Sequence, residues 1–428
     1  MHLGFVPVLS GSGGGIHQYS LTMLRSLMEI VREGRGHELA VFANDLQHPE
    51  VVRAGAAGCS IHPLFPPTLK WKLAAAVQRC VGEDRAAEWW TRRQFAKAGS
   101  RSADGVPEIS VLPDPARSWF ARCGAELMLF PWSSTLAFES GVPYIFTIHD
   151  LNHRRHSEFP EVSADGEWER REYRYRNGIR HATLLIADSE TGKEDILEFY
   201  GDCGATAGRI KVLPYRPVHA GESAVSEDER ERVRELYGLP PRFIFYPAQF
   251  WPHKNHQRVV EALALLRRDR GLQVETVFCG SHGGRLRAGT YRKVMDTART
   301  LGIRSQVHSL GYVPEGDMPG LYAAAEALVM PTFFGTTHLP FLDAWSSGCP
   351  VVTSDLRGIR EQVGDAAVRV DPASVESIAD GLQRFWREKT LRHDLISKGQ
   401  RRLSRYTSSD YREKLEGILQ EAGSRMIG

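Results

Sequence analysis

Short apolar runs rich in Val, Ile and Phe alternate along the chain with longer segments whose apolar residues recur at helical spacing. A parallel strand covered by helices is buried on both faces, so it reads as a short continuous apolar run rather than as a strict alternation. The pattern therefore predicts an α/β fold. In the first half the runs fall at residues 3–8, 38–43, 125–130, 144–148, 183–187 and 210–213; in the second they fall at 243–246, 274–278, 306–309, 327–330, 351–354 and 368–370. Each set is enough for one Rossmann-like sheet.

Between the sets lies Tyr215-Arg-Pro-Val-His-Ala-Gly-Glu-Ser, then a charged helix-like stretch at 227–236 and Pro240-Pro241. This join is rich in turn residues and poor in apolar ones, which predicts a boundary near residue 216, with one domain at 1–216 and a second at 217–405. The tail, 406–428, reads as a separate amphipathic helix around 410–420, with Tyr411, Leu415 and Leu419 at near-helical spacing, expected to pack back on the N-terminal domain.

A chain of 428 residues suits two domains, and 42% hydrophobic with 25% charged residues is an ordinary globular composition. The 54 Lys and Arg against 52 Asp and Glu leave a formal charge of +2, so nothing global favours nucleic acid and a charged partner must be met locally. The start, Met1-His-Leu-Gly-Phe-Val-Pro-Val-Leu, lacks a basic segment and predicts a buried first strand rather than a signal peptide. No apolar run approaches the ~18–20 residues of a spanning helix. The cysteines Cys59, Cys80, Cys123, Cys203, Cys279 and Cys349 are scattered, with no Cys-x-x-Cys and no zinc-like spacing, which suits reduced thiols in a cytoplasmic protein.

Four segments are candidates for chemistry. Ser10-Gly-Ser-Gly-Gly-Gly-Ile16 joins the first strand to a helix reaching about Ile30; its amide N–H groups suit a phosphate, and a merely tight turn fits equally. Tyr144-Ile-Phe-Thr-Ile-His149-Asp150 ends a strand in two polar residues at its carboxyl edge, where open α/β sheets meet ligands; a His bonded to a neighbouring carbonyl is the alternative. In Pro247-Ala-Gln249-Phe-Trp-Pro-His253-Lys254-Asn255-His256, Lys254 precedes a helix at 258–267 and suits a phosphate clamp, against a plain solvated loop. In Pro331-Thr-Phe-Phe-Gly335-Thr-Thr-His338-Leu-Pro340-Phe-Leu-Asp343, Pro340 predicts the first helical position and puts Asp343 in the first turn, facing a ligand or serving the helix dipole.

Together these segments resemble the retaining glycosyltransferases of family 4, whose GT-B fold has two Rossmann-like domains facing a central cleft. The most specific stretch runs from Leu339-Pro through Trp345 and Gly348-Cys-Pro-Val-Val-Thr-Ser-Asp355 to Ala367. The resemblance implies a nucleotide-sugar donor domain at 217–405 and an acceptor domain at 1–216. It implies transfer of a sugar from a nucleotide diphosphate to an acceptor hydroxyl with retention, His149 and Lys254 being the catalytic residues. Gly13, Gly14, Gly15, Lys254, Gln249, Asn255 and Thr337 would meet the diphosphate, and Asp343 the ribose. His149, Asp150, Gly335, Thr336 and His338 would meet the donor sugar, and Gly311, Tyr312 and Val313 the nucleobase. Two positions depart from the family pattern: Gly335 stands where a Glu is usual and Gln249 where an Arg is usual. No metal and no cofactor are implied, the nucleotide sugar being a co-substrate.

The acceptor is expected to be a glycan or lipid-linked glycan of bacterial surface polysaccharide assembly, with GDP-mannose the first donor to test. Residues 66–122 mix Trp71, Trp89, Trp90 and Trp119 with Lys70, Lys72, Arg79, Arg92, Arg93 and Lys97. This suits peripheral contact with the inner face of an anionic membrane, and equally an amphipathic helical pair packed on its own domain. Two other classes stay open: a non-catalytic nucleotide-sugar-binding subunit, and another nucleotide-sugar enzyme such as an epimerase or hydrolase.

Overall fold

The computed structural model describes residues 1–9, 14–66, 100–101, 105–109, 112–216 and 225–427. The chain divides into two compact units. The first comprises Met1–Arg155, Ser163–Val218 and Ser408–Gly428; the second comprises His156–Val162 and His219–Thr407.

The first unit is built on a seven-stranded sheet whose pairs are all parallel. Its strands are β1 (His2–Phe5), β2 (Glu38–Ala43), β3 (Ser60–Pro63), β4 (Leu127–Phe130), β5 (Tyr144–Ile148), β6 (Leu184–Ala187) and β7 (Ile210–Val212), in the spatial order β3-β2-β1-β4-β5-β6-β7. Leu3 pairs with Leu39 on one side and Leu127 on the other, and all of Tyr144–Ile148 is buried, as the continuous apolar runs predict. The edge strand β3 was not anticipated: Ser-Ile-His-Pro is short, half-exposed and half-polar, and carries no apolar run. β1 ends at Phe5, earlier than the apolar run, because Pro7 removes a ladder donor.

The helix Ser408–Ile427 belongs to this unit. It buries Tyr411, Leu415 and Leu419, and its charged flank pairs Arg412 with Glu33 at 2.8 Å, Glu416 with Arg35, and Glu421 with Lys211 at 2.7 Å.

The second unit holds a six-stranded parallel sheet: β8 (Phe243–Pro247), β9 (Glu275–Cys279), β10 (Val307–Ser309), β11 (Ala327–Met330), β12 (Val351–Ser354) and β13 (Ala367–Val370), ordered β10-β9-β8-β11-β12-β13. Phe243 through Tyr246, Ala327 through Met330 and Val351 through Ser354 are buried throughout. The order reverses between β8 and β11, and such a switch point opens a crevice at the carboxyl edge of a parallel sheet. The loops carrying Gln249–Asn255 and Pro331–His338 leave those two strands.

Candidate functional site

At the carboxyl edge of the first sheet, Gly14 caps helix Gly15–Arg32 with φ 55° and no side-chain bond, and a Cβ built there meets nothing within 4 Å among the described residues. The backbone at this helix start is thus open to a close approach. Gly13 lies outside the described residues. The loop is tied to its helix by the Val8 amide, which donates to Ser20 Oγ at 2.9 Å, and by His17 Nδ1 donating to the Val8 carbonyl at 2.7 Å.

His149 is anchored at both ring nitrogens. Nε2 donates to the Pro131 carbonyl at 2.7 Å, so Nδ1 accepts the Tyr215 hydroxyl proton at 2.5 Å. Burial lowers its pKa against the opposing pull of the Pro131 bond and Asp150. The imidazole is therefore neutral, its edge against Tyr19 at 4.9 Å. Tyr215, which reads from sequence only as part of a join, donates to Nδ1 of the tautomer that the Pro131 carbonyl sets. Burial alone would raise the Asp150 carboxyl, but Arg171 at 3.0 Å and the Asn152 amide hold it below the usual range. Just after it, His153, Arg154 and Tyr200 converge on the fully buried Glu172, fixing the turn that carries Asp150.

The second sheet's edge is built differently. Tyr246 donates its hydroxyl to the Lys254 carbonyl, and the Lys254 amide closes a turn onto Trp251 at 3.0 Å. Asn255 takes φ 61°, a left-handed conformation that Asn tolerates. Its amide donates to the carbonyls of Pro331 and Pro372, both at 2.8 Å. The amide hydrogens of Asn255 thus join this loop to the ends of β11 and β13. His253 is held by Glu161 at 2.6 Å and stacks on Phe334 at 3.9 Å. His256 is sandwiched between Tyr246 and Phe250, each at 4.4 Å, and burial followed by Lys254 lowers its pKa to about 3.

Gln249 accepts hydrogen bonds on Oε1 from Trp251 Nε1 at 2.9 Å and from Arg287 Nη1 at 2.8 Å. The Arg287 guanidinium also lies over the Trp251 ring at 4.9 Å. A positive charge thus reaches the Gln249 position from helix Arg285–Thr300, and sequence spacing carried no sign of it.

Gly335 has φ 132°, and a Cβ there would fall 2.4 Å from His338 Cε1. The ring of His338 fills the space a side chain at 335 would need. His338 is anchored by reciprocal 2.8 Å bonds between its backbone and the Gln362 amide. Its buried Nε2 has no hydrogen-bond partner among the described residues. Burial, then Lys254 and His253, keep the ring's pKa well below its ordinary value, so it is a neutral donor or acceptor. Thr336 and Thr337 beside it are half-buried.

Helix Leu339–Ser346 starts one residue earlier than expected, with Pro340 second, so Asp343 sits past the first turn. The helix-start reading of this carboxylate is corrected accordingly, because the dipole effect is confined to the first turn. Asp343 is half-buried and its charge acts on Tyr322. Beyond β10, Gly311 accepts from the Gly280 amide at 2.8 Å, Val313 is buried, and Tyr312 is 68% exposed. No described helix is long and apolar enough to cross a membrane. Of the basic–aromatic stretch, residues 67–99 lie outside the described residues, while Trp119 donates to the Pro63 carbonyl at 2.9 Å.

Residues 227–402 match the family model described as "Glycosyl transferases group 1". The O-antigen chain mannosyltransferase B of Escherichia coli is 30% identical over 158 residues, 37% of this chain and 40% of that protein. The D-inositol 3-phosphate glycosyltransferase of Corynebacterium glutamicum (strain R) is 26% identical over 247 residues, 56% of this chain and 57% of the relative. The chain spans about half the length of the curated relatives it matches. Among solved structures, sucrose-phosphate synthase from Thermosynechococcus elongatus superposes with a TM-score of 0.67 at 15% identity, covering 99% of each chain. Anabaena HepE in complex with UDP-glucose gives 0.66 at 16% identity, covering 99% of this chain and 100% of that one. The two parallel α/β units thus have the GT-B architecture, and residues 227–402 are similar to glycosyl transferases group 1.

Proposed function

We propose that this protein transfers a sugar from a nucleoside diphosphate sugar to a hydroxyl of a glycan or glycolipid, with retention at the anomeric carbon. The observation that carries the reading is the match over 227–402 on a sheet whose switch-point loops bear Lys254 and the 335–338 turn, with Asp343 on the helix that follows. Lys254 stabilises the diphosphate as negative charge develops on the leaving oxygen, and Arg287 adds the charge that Gln249 lacks. Asp343 accepts hydrogen bonds from the ribose hydroxyls. Tyr312 offers an exposed ring to the nucleobase. Neutral His338 replaces a carboxylate as the group that meets the donor sugar. The diphosphate takes the acceptor proton, so no protein nucleophile is assigned, and His149, fixed as the Nε2–H tautomer, serves orientation rather than proton transfer.

The mannosyltransferase relative makes GDP-mannose the first donor to try, and the UDP-glucose complex of the structural neighbour makes that donor the second. Incubation with each donor and a lipid-linked glycan, followed by NMR of the anomeric product, tests the reading. Transfer with retention supports it. Release of free sugar, an epimerised donor, or nucleotide binding without turnover overturns it in favour of a hydrolase, an epimerase or a binding subunit.

A further inference from the structure

Within the second unit, a cavity of about 560 Å³ opens between the amino-terminal turns of helices His256–Arg270 and Arg285–Thr300. Its described lining includes Arg258, Arg285 and Lys293 but no carboxylate. On a chain of net charge +2, three cations thus line one cavity. Asp296 and Glu261 line the neighbouring groove, where Asp296 pairs with Arg299 and Glu261 accepts from the Gln257 amide. No side-chain ion pair or hydrogen bond holds Lys293 among the described residues.

One wall is aromatic. Phe159 and Phe333 lie 5.4 Å apart at an interplanar angle of 38°, and the Arg258 guanidinium is 5.0 Å over the Phe333 ring. That stacking leaves the planar fork of Arg258 pre-organised for an anion. Gly289 in the lining presents no side chain, and a Cβ built there would meet nothing within 4 Å. Lys254, Asp343 and His338 are not among the lining residues.

We infer that this cavity is a second anion site that binds the phosphate monoester of a saccharide. Arg258, Arg285 and Lys293 meet the phosphate, and the Phe159–Phe333 wall takes the apolar face of the sugar ring. The volume suits a monosaccharide phosphate and falls within the range of small-molecule pockets. The inference stands apart from the donor assignment, because none of its residues is given a role there.

The test is calorimetry on the full chain with a hexose 6-phosphate, the same hexose without phosphate, and inorganic phosphate. The hexose 6-phosphate is expected to bind, more tightly than inorganic phosphate, and the unmodified hexose not at all. Lys293→Glu combined with Arg285→Glu should weaken binding roughly tenfold or more, since charge-assisted bonds are replaced by repulsion. Both side chains are exposed, and an unchanged melting temperature confirms the fold. Lys389→Glu, in the same unit but outside the cavity, should leave the affinity as it was. Equal affinity for inorganic phosphate and the ester would overturn the sugar assignment. Binding that survives the double variant but is lost in Lys254→Ala would place the anion elsewhere, and absence of binding to wild type would overturn the site altogether.

Discussion

The carboxyl edges of the two sheets share a topology and differ in what their polar groups do. In the first unit the polar side chains neutralise one another: His149 is held by Tyr215 and Pro131, and Asp150 by Arg171. Among the described residues, the backbone at Gly14 is open to close approach. In the second unit His253 is likewise paired, with Glu161, but two other groups differ. Arg287 rests on an amide oxygen and an indole ring, and the Nε2 of His338 is buried without a partner among the described residues. An edge that satisfies itself positions a ligand by shape, whereas an edge with surplus donors is poised for an anion. This contrast is the ground for the proposal that the nucleotide is met by the second unit.

The contrast can be broken most sharply at Lys254. Lys254→Ala should lower sugar transfer by about 10²–10³-fold, the usual loss for one oxyanion-stabilising donor, while His149→Gln should cost far less, in steady-state assays of both. Gly335→Glu comes next. Its side chain collides with the His338 ring at a φ that L-residues resist, so it should destabilise by ~1–3 kcal/mol and weaken donor binding. The double variant Gly335→Glu/His338→Ala should recover part of that binding, read by thermal melts and donor titration.

Arg287→Ala should reduce kcat roughly tenfold with a smaller change in KM, the signature of charge stabilised mainly in the transition state. Arg287→Lys should recover little, because an ammonium does not stack on Trp251 as a guanidinium does.

The smallest effect is on acid stability. Glu172 is pushed up by burial, but bonds from His153, Arg154 and Tyr200 bring it to about 2, so the stability it contributes is present above its ordinary pKa and lost as pH falls toward 2. His256, lowered to about 3, is neutral in both states above pH ~6.5 and costs stability as pH falls from there toward 3. Denaturant titrations should show His256→Phe flattening the upper part of that slope and Glu172→Gln the lower part.

Much of the fold was legible because buried parallel strands advertise themselves as apolar runs; Tyr144–Ile148 and Phe243–Pro247 are examples. Strand β3 was not, since a half-exposed Ser-Ile-His-Pro looks like a turn. Within the candidate site, Lys254 was singled out by its place just before a helix, and the proposed ribose role of Asp343 came from the family resemblance. Arg287, Tyr215 and Glu161 were not legible, because each meets its partner across 38, 66 and 92 residues respectively. The surroundings of Asn255 were not legible either: an amide in a polar loop is 3% exposed and bonded to two distant carbonyls. His338 was readable as a polar residue near Gly335, but its exclusion of any side chain at that position depends on a backbone angle that sequence does not display.

The most direct test of the central claim is calorimetric titration of the full chain with UDP, GDP, ADP, dTDP and CMP, repeated on Asp343→Ala. The account predicts that one nucleoside diphosphate binds selectively and that Asp343→Ala weakens it by about 10–100-fold, the loss of hydrogen bonds to a charged group. A folded protein that binds none of them, or whose binding is unchanged in Asp343→Ala, would contradict it.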